Sequence, residues 1–525
     1  MKKTLLILFC AFSVFINAQN QNISNGIVFD GEPYLTINQN NSQHLVVAWM
    51  GWKLNNIIVI KTRTSFNGGQ TWSVTTDIPH TVNGYQSADP SLKFNNNGDV
   101  FLCFIDYEPF PATGAVFVSK STDGGLNWGT PVEVINVTSD PGKQPVDRPW
   151  MSIDNSGGAN DGNIYVTTMN PNVFGPVAPP YNPYFIRSTD GGASFDPWRY
   201  LDTTNWLAGS LIPQPMPTPT VSANGTFHAI YPSYVISQSF FAQFFIASST
   251  TAGNSFNHNT VMQSATTNSD TLPKKGYLLI SNPADANHLL FAYPNFDNGD
   301  IDVYITESLN AGVTWNTPIR VNDDPFANDR MQDLIWADFD NDGDVIVTWR
   351  DRRNANDSTY KVSSEIYGAV RWKDSTNFSA NFAISDSSIS YNTVLENSGN
   401  DFMCVNMIND TICAVWGDTR NGFLNIWFQC IDLTNGATLI KDLANDVEPI
   451  KVYPNPSSSI INLDFGNNEL INARYDVYDV LGKLVISESI INKKTQLNIT
   501  SYTKGSYLLK FTNNKGSKAI KLIKK

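Results

Sequence analysis

The sequence is poor in charged side chains, in cysteine and histidine, and in long apolar runs. Asp, Glu, Lys and Arg make up 16% of the 525 residues, and the formal net charge is −13. An acidic chain lacks the basic face that a phosphate backbone requires, so no nucleic-acid partner is expected. Beyond the amino terminus no segment approaches the roughly 18 unbroken apolar residues of a membrane-spanning helix, so no transmembrane segment is expected. The histidines and cysteines show no metal-ligand spacing, so no required cofactor is indicated.

The amino terminus has the pattern of a signal peptide, which we assign to residues 1–18. Lys2 and Lys3 precede an apolar stretch at residues 5–16, and Ile16-Asn17-Ala18 is a plausible cleavage site. Export therefore exposes the mature chain to an oxidising compartment. The remaining cysteines lie in apolar, strand-like runs that predict buried thiols, with a Cys404–Cys413 bridge as the alternative.

An eight-residue pattern, Ser-x-Asp/Asn-x-Gly-x-x-Trp/Phe, recurs along the chain at an even spacing. Three clear copies begin at Ser65, Ser121 and Ser188, and looser copies begin at Ser249 and Ser308. Short Asp, Asn and Ser side chains hydrogen-bond the backbone of a tight turn, and the glycine permits positive φ. Each copy follows three short β-rich runs separated by polar turns, so the repeating unit is a small antiparallel sheet.

The repeat resembles the Asp-box of sialidases and related propellers, where it closes the hairpin between the third and fourth strands of a blade. The resemblance implies a structural role for the motif and a sialidase-like β-propeller over residues 19–446. The unit count gives an all-β fold with seven blades, and six blades is the alternative because the sialidase fold has six.

The last segment changes character at about residue 447. It opens with Tyr453-Pro-Asn-Pro456, continues through Asp479-Val-Leu-Gly-Lys483 and Gly505-Ser-Tyr-Leu-Leu-Lys-Phe511, and ends in lysines. These motifs resemble the sorting domain of the Bacteroidetes type IX secretion system. The resemblance implies a small β-sandwich at residues 447–525, recognition by that secretion machinery, and a secreted or cell-surface location.

The blade topology predicts where chemistry is located. In an antiparallel blade, the start of the first strand and the end of the second lie at the same rim, opposite the Asp-box turns. Candidate catalytic residues at that rim are Asp106, Tyr107, Glu108 and Asp351. Candidate substrate-binding residues there are Arg148, Arg330, Arg352, Arg420, Trp150 and Trp349. Carboxylates, arginines and tryptophans around a funnel suit an extracellular glycan as partner.

Acids also recur at unit starts, as Glu32, Asp89 and Asp147, and this recurrence favours a structural role for them. The sialidase signature Arg-Ile-Pro is absent, because the equivalent stretch reads Phe29-Asp-Gly-Glu-Pro33. Three functions stay open: a non-catalytic carbohydrate-binding propeller, an exo-α-sialidase-type hydrolase, and a polysaccharide lyase that uses His228 with Tyr231 or Tyr234.

One loop has the composition of a calcium site. Asp338, Asp340, Asp342 and Asp344 alternate along the chain around Gly343, and clustered hard oxygens are the ligands that Ca²⁺ prefers. An ordinary hairpin turn is the alternative.

Overall fold

The protein was analysed as a computed structural model that describes most of the chain. The described residues are 20–53, 57–108, 113–171, 179–202, 212, 214–233, 242–263, 276–296, 298–395, 399–433, 451–464, 474–479, 483–490, 492–513 and 516–525. The predicted signal peptide and the predicted boundary at 446/447 lie outside them. The chain forms two compact units, residues 1–434 and 435–525.

The first unit consists, in its described part, of seven four-stranded antiparallel sheets. The first three blades are β2 (Asp30–Asn38), β3 (Asn41–Trp52), β4 (Ile58–Ser65), β5 (Thr76–Asp77); β6 (Gln86–Phe94), β7 (Val100–Tyr107), β8 (Gly114–Ser121), β9 (Val132–Asn136); and β10 (Asp147–Ile153), β11 (Ile164–Met169), β12 (Tyr184–Ser188), β13 (Arg199–Tyr200). The next three are β14 (Thr218–Val221), β15 (Phe227–Ser233), β16 (Gln243–Ser249), β17 (Asn257–Gln263); β18 (Leu278–Ser281), β19 (Leu289–Asn295), β20 (Asp302–Ser308), β21 (Ile319–Arg320); and β22 (Gln332–Phe339), β23 (Val345–Asp351), β24 (Glu365–Arg371), β25 (Phe382–Ala383). A single 3-10 turn, η1 (Thr393–Leu395), precedes the seventh blade, which contains β26 (Cys404–Ile408), β27 (Thr411–Asp418) and β28 (Asn425–Asp432).

The first strands of the blades form a closed ring. Each contacts the first strand of the next blade, and β26 of the seventh blade contacts β2 of the first. A closed ring of sheets leaves only short outer edges exposed, which protects the strands from edge pairing. The seven-bladed interpretation is therefore confirmed rather than the six-bladed alternative.

The amino terminus closes this ring. The short strand β1 (Gln21–Asn22) pairs antiparallel with β28 and supplies the outer strand of the seventh blade. The preceding residue, Asn20, donates a side-chain hydrogen bond to the Ile384 carbonyl of the sixth blade at 3.1 Å. Residues from the two ends of the propeller are thus joined within one sheet.

All five copies of the eight-residue repeat fold into the same turn between the third and fourth strands. In the third blade, the Gly192 amide donates to Ser188 Oγ at 2.9 Å, and the Ser194 amide donates to Asp190 Oδ1 at 2.9 Å. Equivalent bonds from the glycine amide occur at Gly69, Gly125, Gly253 and Gly312.

In the repeats that begin at Ser65 and Ser249, the terminal aromatic residue packs on the preceding blade rather than only beneath its own turn. The Phe256 ring lies 5.1 Å from the Phe185 ring of the third blade, and the Trp72 ring lies 5.0 Å from the Phe428 ring of the seventh. Gly253 illustrates why the motif needs glycine: its φ is +80°, and an added Cβ would lie 2.2 Å from Phe185 Cζ. The repeat therefore joins neighbouring blades.

One disulfide links the two central strands of the seventh blade. Cys413 bonds Cys430, which lies directly opposite it on β28. The alternative Cys404–Cys413 bridge is wrong, because Cys413 faces Cys430 across the ladder and Cys404 lies in the buried core. Cys103 and Cys404 are buried free thiols, as the sequence predicts, whereas the prediction of free thiols at Cys413 and Cys430 is wrong, because these two residues form the disulfide.

The second unit is a small β-sandwich. One sheet contains β29 (Lys451–Tyr453), β30 (Ile460–Asp464) and β33 (Lys494–Asn498); the other contains β31 (Arg474–Tyr478), β32 (Leu484–Ser489), β34 (Gly505–Asn513) and β35 (Gly516–Lys524). Alternate residues of both sheets, including Ile461, Leu463, Val477 and Leu509, are fully buried between them.

Candidate functional site

A bulge occurs at the same place in the first strands of four blades, near the mouth of the central channel. The register shifts occur between Gly31 and Tyr34, Ala88 and Ser91, Asp147 and Trp150, and Asp333 and Trp336. Within each bulge one residue has a positive φ of about 50°: Glu32, Asp89, Arg148 and Leu334. Bulges break the ladder and redirect side chains. They place polar residues of blades one to three at equivalent positions around the channel.

Five charged residues from four blades meet there and form what we call the rim cluster: Glu32, Asp89, Asp147, Arg148 and Asp401. Arg148 Nη2 lies 2.6 Å from Asp401 Oδ2, and the Arg148 amide donates to Asp89 Oδ2 at 3.2 Å. Glu32 and Asp147 each form a side-chain hydrogen bond to Asp89. Four carboxyl groups therefore share one guanidinium.

The protonation of the rim cluster is set by burial and by mutual repulsion. Burial and the charges of Asp89 and Asp401 hold the pKa of Glu32 well above its ordinary value. Burial and the charge of Asp89 raise the pKa of Asp147 to about 8, although Arg148 opposes this shift. The carboxylates in turn raise the pKa of Arg148 despite its burial, so the guanidinium stays charged. At neutral pH Asp147 therefore keeps its proton, and a carboxylic acid held among other carboxyl groups supports general acid chemistry.

Aromatic side chains close the channel below the rim cluster. The Trp150 ring lies 4.9 Å from the Phe402 ring, 5.5 Å from Trp336 and 5.6 Å from Tyr34. A cavity of about 10 Å³, enough for one water, remains beside Arg148 and Asp401. Trp150, predicted to bind substrate, is only 7% exposed and forms part of this aromatic plug.

The three consecutive residues predicted as catalytic at the end of β7 have different environments. Asp106 is buried and accepts hydrogen bonds from Thr81 and Ser87 and contacts His80 Nδ1 at 2.8 Å. Burial and the nearby charges of Asp89, Glu32 and Asp147 raise the pKa of Tyr107 to about 12, so this side chain belongs to the surroundings of the rim cluster. Glu108 is exposed and accepts a hydrogen bond from Thr113 at 3.3 Å. Only Tyr107 is thus placed with the cluster.

Asp351 accepts hydrogen bonds from Trp349 and Arg353. We call this group of three side chains a brace, and the seventh blade contains an equivalent one. Trp349 Nε1 donates to Asp351 Oδ2 at 2.6 Å, Arg353 Nε donates to the same oxygen at 3.0 Å, and Trp349 is fully buried. In the seventh blade, Trp416 and Arg420 contact Asp418 in the same way, at 3.1 and 2.8 Å. Both braces tie the second strand to the outer part of the blade. The catalytic role of Asp351 and the substrate-binding roles of Trp349 and Arg420 stay predictions.

Arg352 lies in a second buried charge cluster. Asp333 accepts two hydrogen bonds from Arg350, at 2.8 and 2.6 Å, and two from Arg352, at 3.1 and 3.3 Å. Tyr360 donates to the same carboxylate at 2.7 Å, and the two guanidinium charges hold the pKa of Asp333 far below its usual range.

Arg330 is partly buried, and its amide contacts Asn328 Oδ1 at 2.8 Å. The substrate-binding role predicted for it and for Arg352 stays a prediction. Arg148 is the sequence-predicted arginine that the structure places in the rim cluster.

The four carboxylates predicted to bind calcium do not converge on one point. Asp342 is exposed and contacts Lys373, whereas Asp338 accepts hydrogen bonds from Asn406 and Met407 of the seventh blade at 3.0 and 2.9 Å. In the described residues, Asp340 and Asp344 instead form an acidic cluster with Asp410, with one carboxylate oxygen of each within 4.8 Å of the others.

Sequence reasoning assigned a structural role to Glu32, Asp89 and Asp147 and gave Asp401 no role. Their shared signal is a charged residue directly before a proline in the first half of an inner strand: Glu32-Pro33, Asp89-Pro90 and Arg148-Pro149, where Asp147 precedes the arginine. No comparable signal marks Asp401.

Comparisons with solved structures concern the propeller fold. A protein of unknown function from Dyadobacter fermentans is 15% identical, with a TM-score of 0.43 over 67% of this chain and 96% of that one. An α-L-arabinofuranosidase from Fusarium graminearum is 11% identical, with a TM-score of 0.45 over 79% and 98%. The NanB sialidase from Streptococcus pneumoniae is 12% identical, with a TM-score of 0.40 over 80% and 71%. No curated protein matches the chain.

The carboxyl-terminal unit has a specific family match. Residues 451–525 match the family described as a secretion system C-terminal sorting domain. Among the described residues, no helix has the length and hydropathy needed to cross a bilayer. The motifs of the tail and its sandwich fold agree with this match. The chain therefore carries a type IX sorting domain at its carboxyl terminus, which directs the propeller for export to the cell surface or the medium.

Proposed function

We propose that the propeller is a glycoside hydrolase whose catalytic carboxyl groups are in the rim cluster. The observation that carries this proposal is a buried group of carboxyl groups at one point, in which Asp147 has a pKa raised to about 8 and Asp401 forms an ion pair with Arg148 at 2.6 Å. Glycosidic bonds are hydrolysed by such a combination, in which one carboxylic acid protonates the leaving oxygen and a carboxylate assists attack at the anomeric carbon.

Asp147 is better placed than Glu32 to act as the acid. It is partly exposed, whereas Glu32 is 2% exposed. Its proton passes to the glycosidic oxygen as the bond to the anomeric carbon breaks. Asp401, whose charge Arg148 stabilises at 2.6 Å, is the carboxylate placed to assist the attack. A water molecule supplies the new hydroxyl group, and its second proton restores Asp147.

The charge balance of the rim cluster favours an uncharged glycan as substrate. A sialidase binds the carboxylate of its substrate with several arginines, but here one guanidinium faces four carboxyl groups and already contacts Asp401. The nearby Arg350 and Arg352 are buried against Asp333. An anionic sugar at the cluster would meet net repulsion. The exo-α-sialidase alternative is therefore less well supported.

The lyase alternative lacks an open site in the described residues. His228 is fully buried, contacts Ser248 Oγ at 2.7 Å, and has a pKa lowered to about 4 by burial. Tyr231 is buried as well, and Tyr234 lies outside the described residues. A non-catalytic binding propeller remains the main alternative to hydrolysis.

The test is product analysis by chromatography and mass spectrometry after incubation with uncharged and acidic polysaccharides. We expect released neutral sugars from at least one uncharged glycan, and loss of at least a hundredfold in rate for Asp147→Asn. Glu133→Gln, at an exposed carboxylate of β9, is the matched control and keeps full activity. Released sialic acid would establish the sialidase alternative, and unsaturated products a lyase. Intact glycans throughout would favour a binding protein.

The acidic cluster of Asp340, Asp344 and Asp410 is the proposed place for calcium. Hydrogen bonding and repulsion between Asp344 and Asp410 contribute to a raised pKa of Asp344, after its burial. A cation there would replace a proton and remove the repulsion. Thermal unfolding with calcium and with a chelator tests this: a higher Tm in calcium that Asp410→Asn abolishes is expected, and equal Tm values would reject the site.

A further inference from the structure

The central channel contains a second cavity on the other side of the aromatic plug. It has a volume of about 520 Å³ and is lined by the first strands of all seven blades. Its walls are mainly polar and include Thr36, Lys93, Ser152, Thr220, Asp338 and Asn406. It opens at the rim that carries the repeat turns, opposite the rim cluster.

The cavity has an aromatic floor and an amide-rich mouth. Tyr34, Trp150 and Trp336 form the floor and separate the cavity from the rim cluster. Gln39, Asn96, Asn155 and Asn341 lie at the mouth and are exposed to solvent. A ligand can therefore enter from solvent and reach an aromatic surface.

Several buried polar atoms that line this cavity have no hydrogen-bond partner among the described residues. They are Ser152 Oγ, Ser222 Oγ and Asn406 Oδ1. Ser152 and Ser222 are 4% and 2% exposed. These atoms are almost inaccessible to solvent, so a ligand in the cavity meets the polar wall through other lining groups, such as Thr36, Lys93 and Thr220.

We propose that this cavity binds the end of an uncharged glycan, as a carbohydrate-binding site separate from the rim cluster. Sugars combine apolar C–H faces, which pack on aromatic rings, with hydroxyl groups that both donate and accept hydrogen bonds. Lys93 and Asp338 attract one another and contribute one charge of each sign, so the wall carries no net charge that would select an ionic ligand. The volume lies in the range of small-molecule pockets, roughly 300–1,000 Å³.

This inference does not depend on hydrolysis at the rim cluster. A sugar held at the far mouth of the channel would anchor the propeller to a glycan whether or not the opposite rim cleaves it. Glu32→Gln changes the rim cluster alone and is expected to leave this binding unchanged, so the two proposals fail separately.

The test is saturation-transfer-difference NMR on the exported chain, with the methyl glycosides of glucose, galactose and N-acetylglucosamine at millimolar concentration. We expect saturation transfer to at least one of them. Lys93→Met keeps the apolar stem and removes a hydrogen-bond donor, and Ser152→Val fills space at the wall, so each should raise the Kd about fivefold or more. Lys120→Met, at a partly exposed lysine of the same blade that does not line the cavity, is the matched control and should not change the Kd.

Two results would overturn the proposal. The first is no saturation transfer to any of the three glycosides, which would mean that the cavity holds only water. The second is saturation transfer that Lys93→Met and Ser152→Val leave unchanged, which would place the sugar elsewhere on the protein.

Discussion

Replacing Asp147 by asparagine should stabilise the propeller while it abolishes hydrolysis. The folded state holds Asp147 beside Asp89, where burial and repulsion raise its pKa to about 8. In the unfolded chain an aspartate has a pKa of about 3.9. At pH 7 the unfolded chain therefore releases a proton that the folded protein keeps, and this difference favours unfolding. An asparagine has no proton to release, and its amide can donate to Asp89 as the carboxylic acid does.

The size of the effect follows from the two pKa values. Ionisation of Asp147 lowers the stability of the wild type by at most about 4 kcal/mol between pH 3.9 and 7, at about 1.36 kcal/mol per pH unit. Asp147 is partly exposed and shares its proton network with Glu32 and Asp89, so a gain of about 1–3 kcal/mol is the realistic expectation. A propeller of this length has an unfolding entropy of about 0.9 kcal/mol/K, so the Tm should rise by about 1–3 °C.

The assay is thermal unfolding of the wild type and the Asp147→Asn variant at several pH values. Because the pKa of Asp147 is raised in the folded state, its contribution to stability is fully present below pH 4 and is lost as the pH rises towards 8. The two proteins should therefore have similar Tm values near pH 4, and the variant should gain as the pH rises. A lower Tm for the variant at pH 7 would mean that Asp147 is ionised and paired with Arg148, which refutes its role as the proton donor.

Three further predictions test the architecture. Asp333→Asn leaves two buried guanidinium groups uncompensated and should cost about 3–5 kcal/mol, measured as a Tm about 4 °C lower; an unchanged Tm would show that these groups are solvated. Gly253→Ala places a Cβ 2.2 Å from Phe185 at a φ of +80° and should destabilise by about 2–4 kcal/mol, whereas Gly191→Ala, which meets nothing within 4 Å, should cost about 1 kcal/mol. Equal losses in chemical denaturation would contradict the packing argument. Deleting residues 20–22 removes the outer strand of the seventh blade, so hydrogen exchange should accelerate in β28 and not in β15; uniform protection would show that β1 does not close the ring.

The sequence was a reliable guide wherever the determining interactions are local. The repeat that begins at Ser188 forms its turn from hydrogen bonds between residues two and four positions apart. Such bonds depend on residue type and spacing alone. The partner of the terminal aromatic is different, because Phe256 packs on Phe185 of the preceding blade, which the pattern does not identify.

The candidate site was predicted only as a region. The topology placed Arg148 and Tyr107 at the correct rim, but the same argument included Asp351 and Arg352, whose groups are fully engaged by buried neighbours. Whether an arginine at a rim can bind a ligand depends on which carboxylates the fold brings to it. The end of a strand also separates adjacent residues: Tyr107, the last residue of β7, is influenced by the charges of the cluster, whereas Glu108 follows the strand and is exposed.

By itself, the sequence determined the repeating blade, the seven units and the sorting domain, because each is encoded within a segment of a few tens of residues. Only the tertiary structure decided the rim cluster and its chemistry. Arg148 and Asp401 are 253 positions apart and meet only because the seventh blade closes the ring against the first. The proton on Asp147 is likewise a product of the fold, since burial and the charge of Asp89 act on it only after the inner strands have come together.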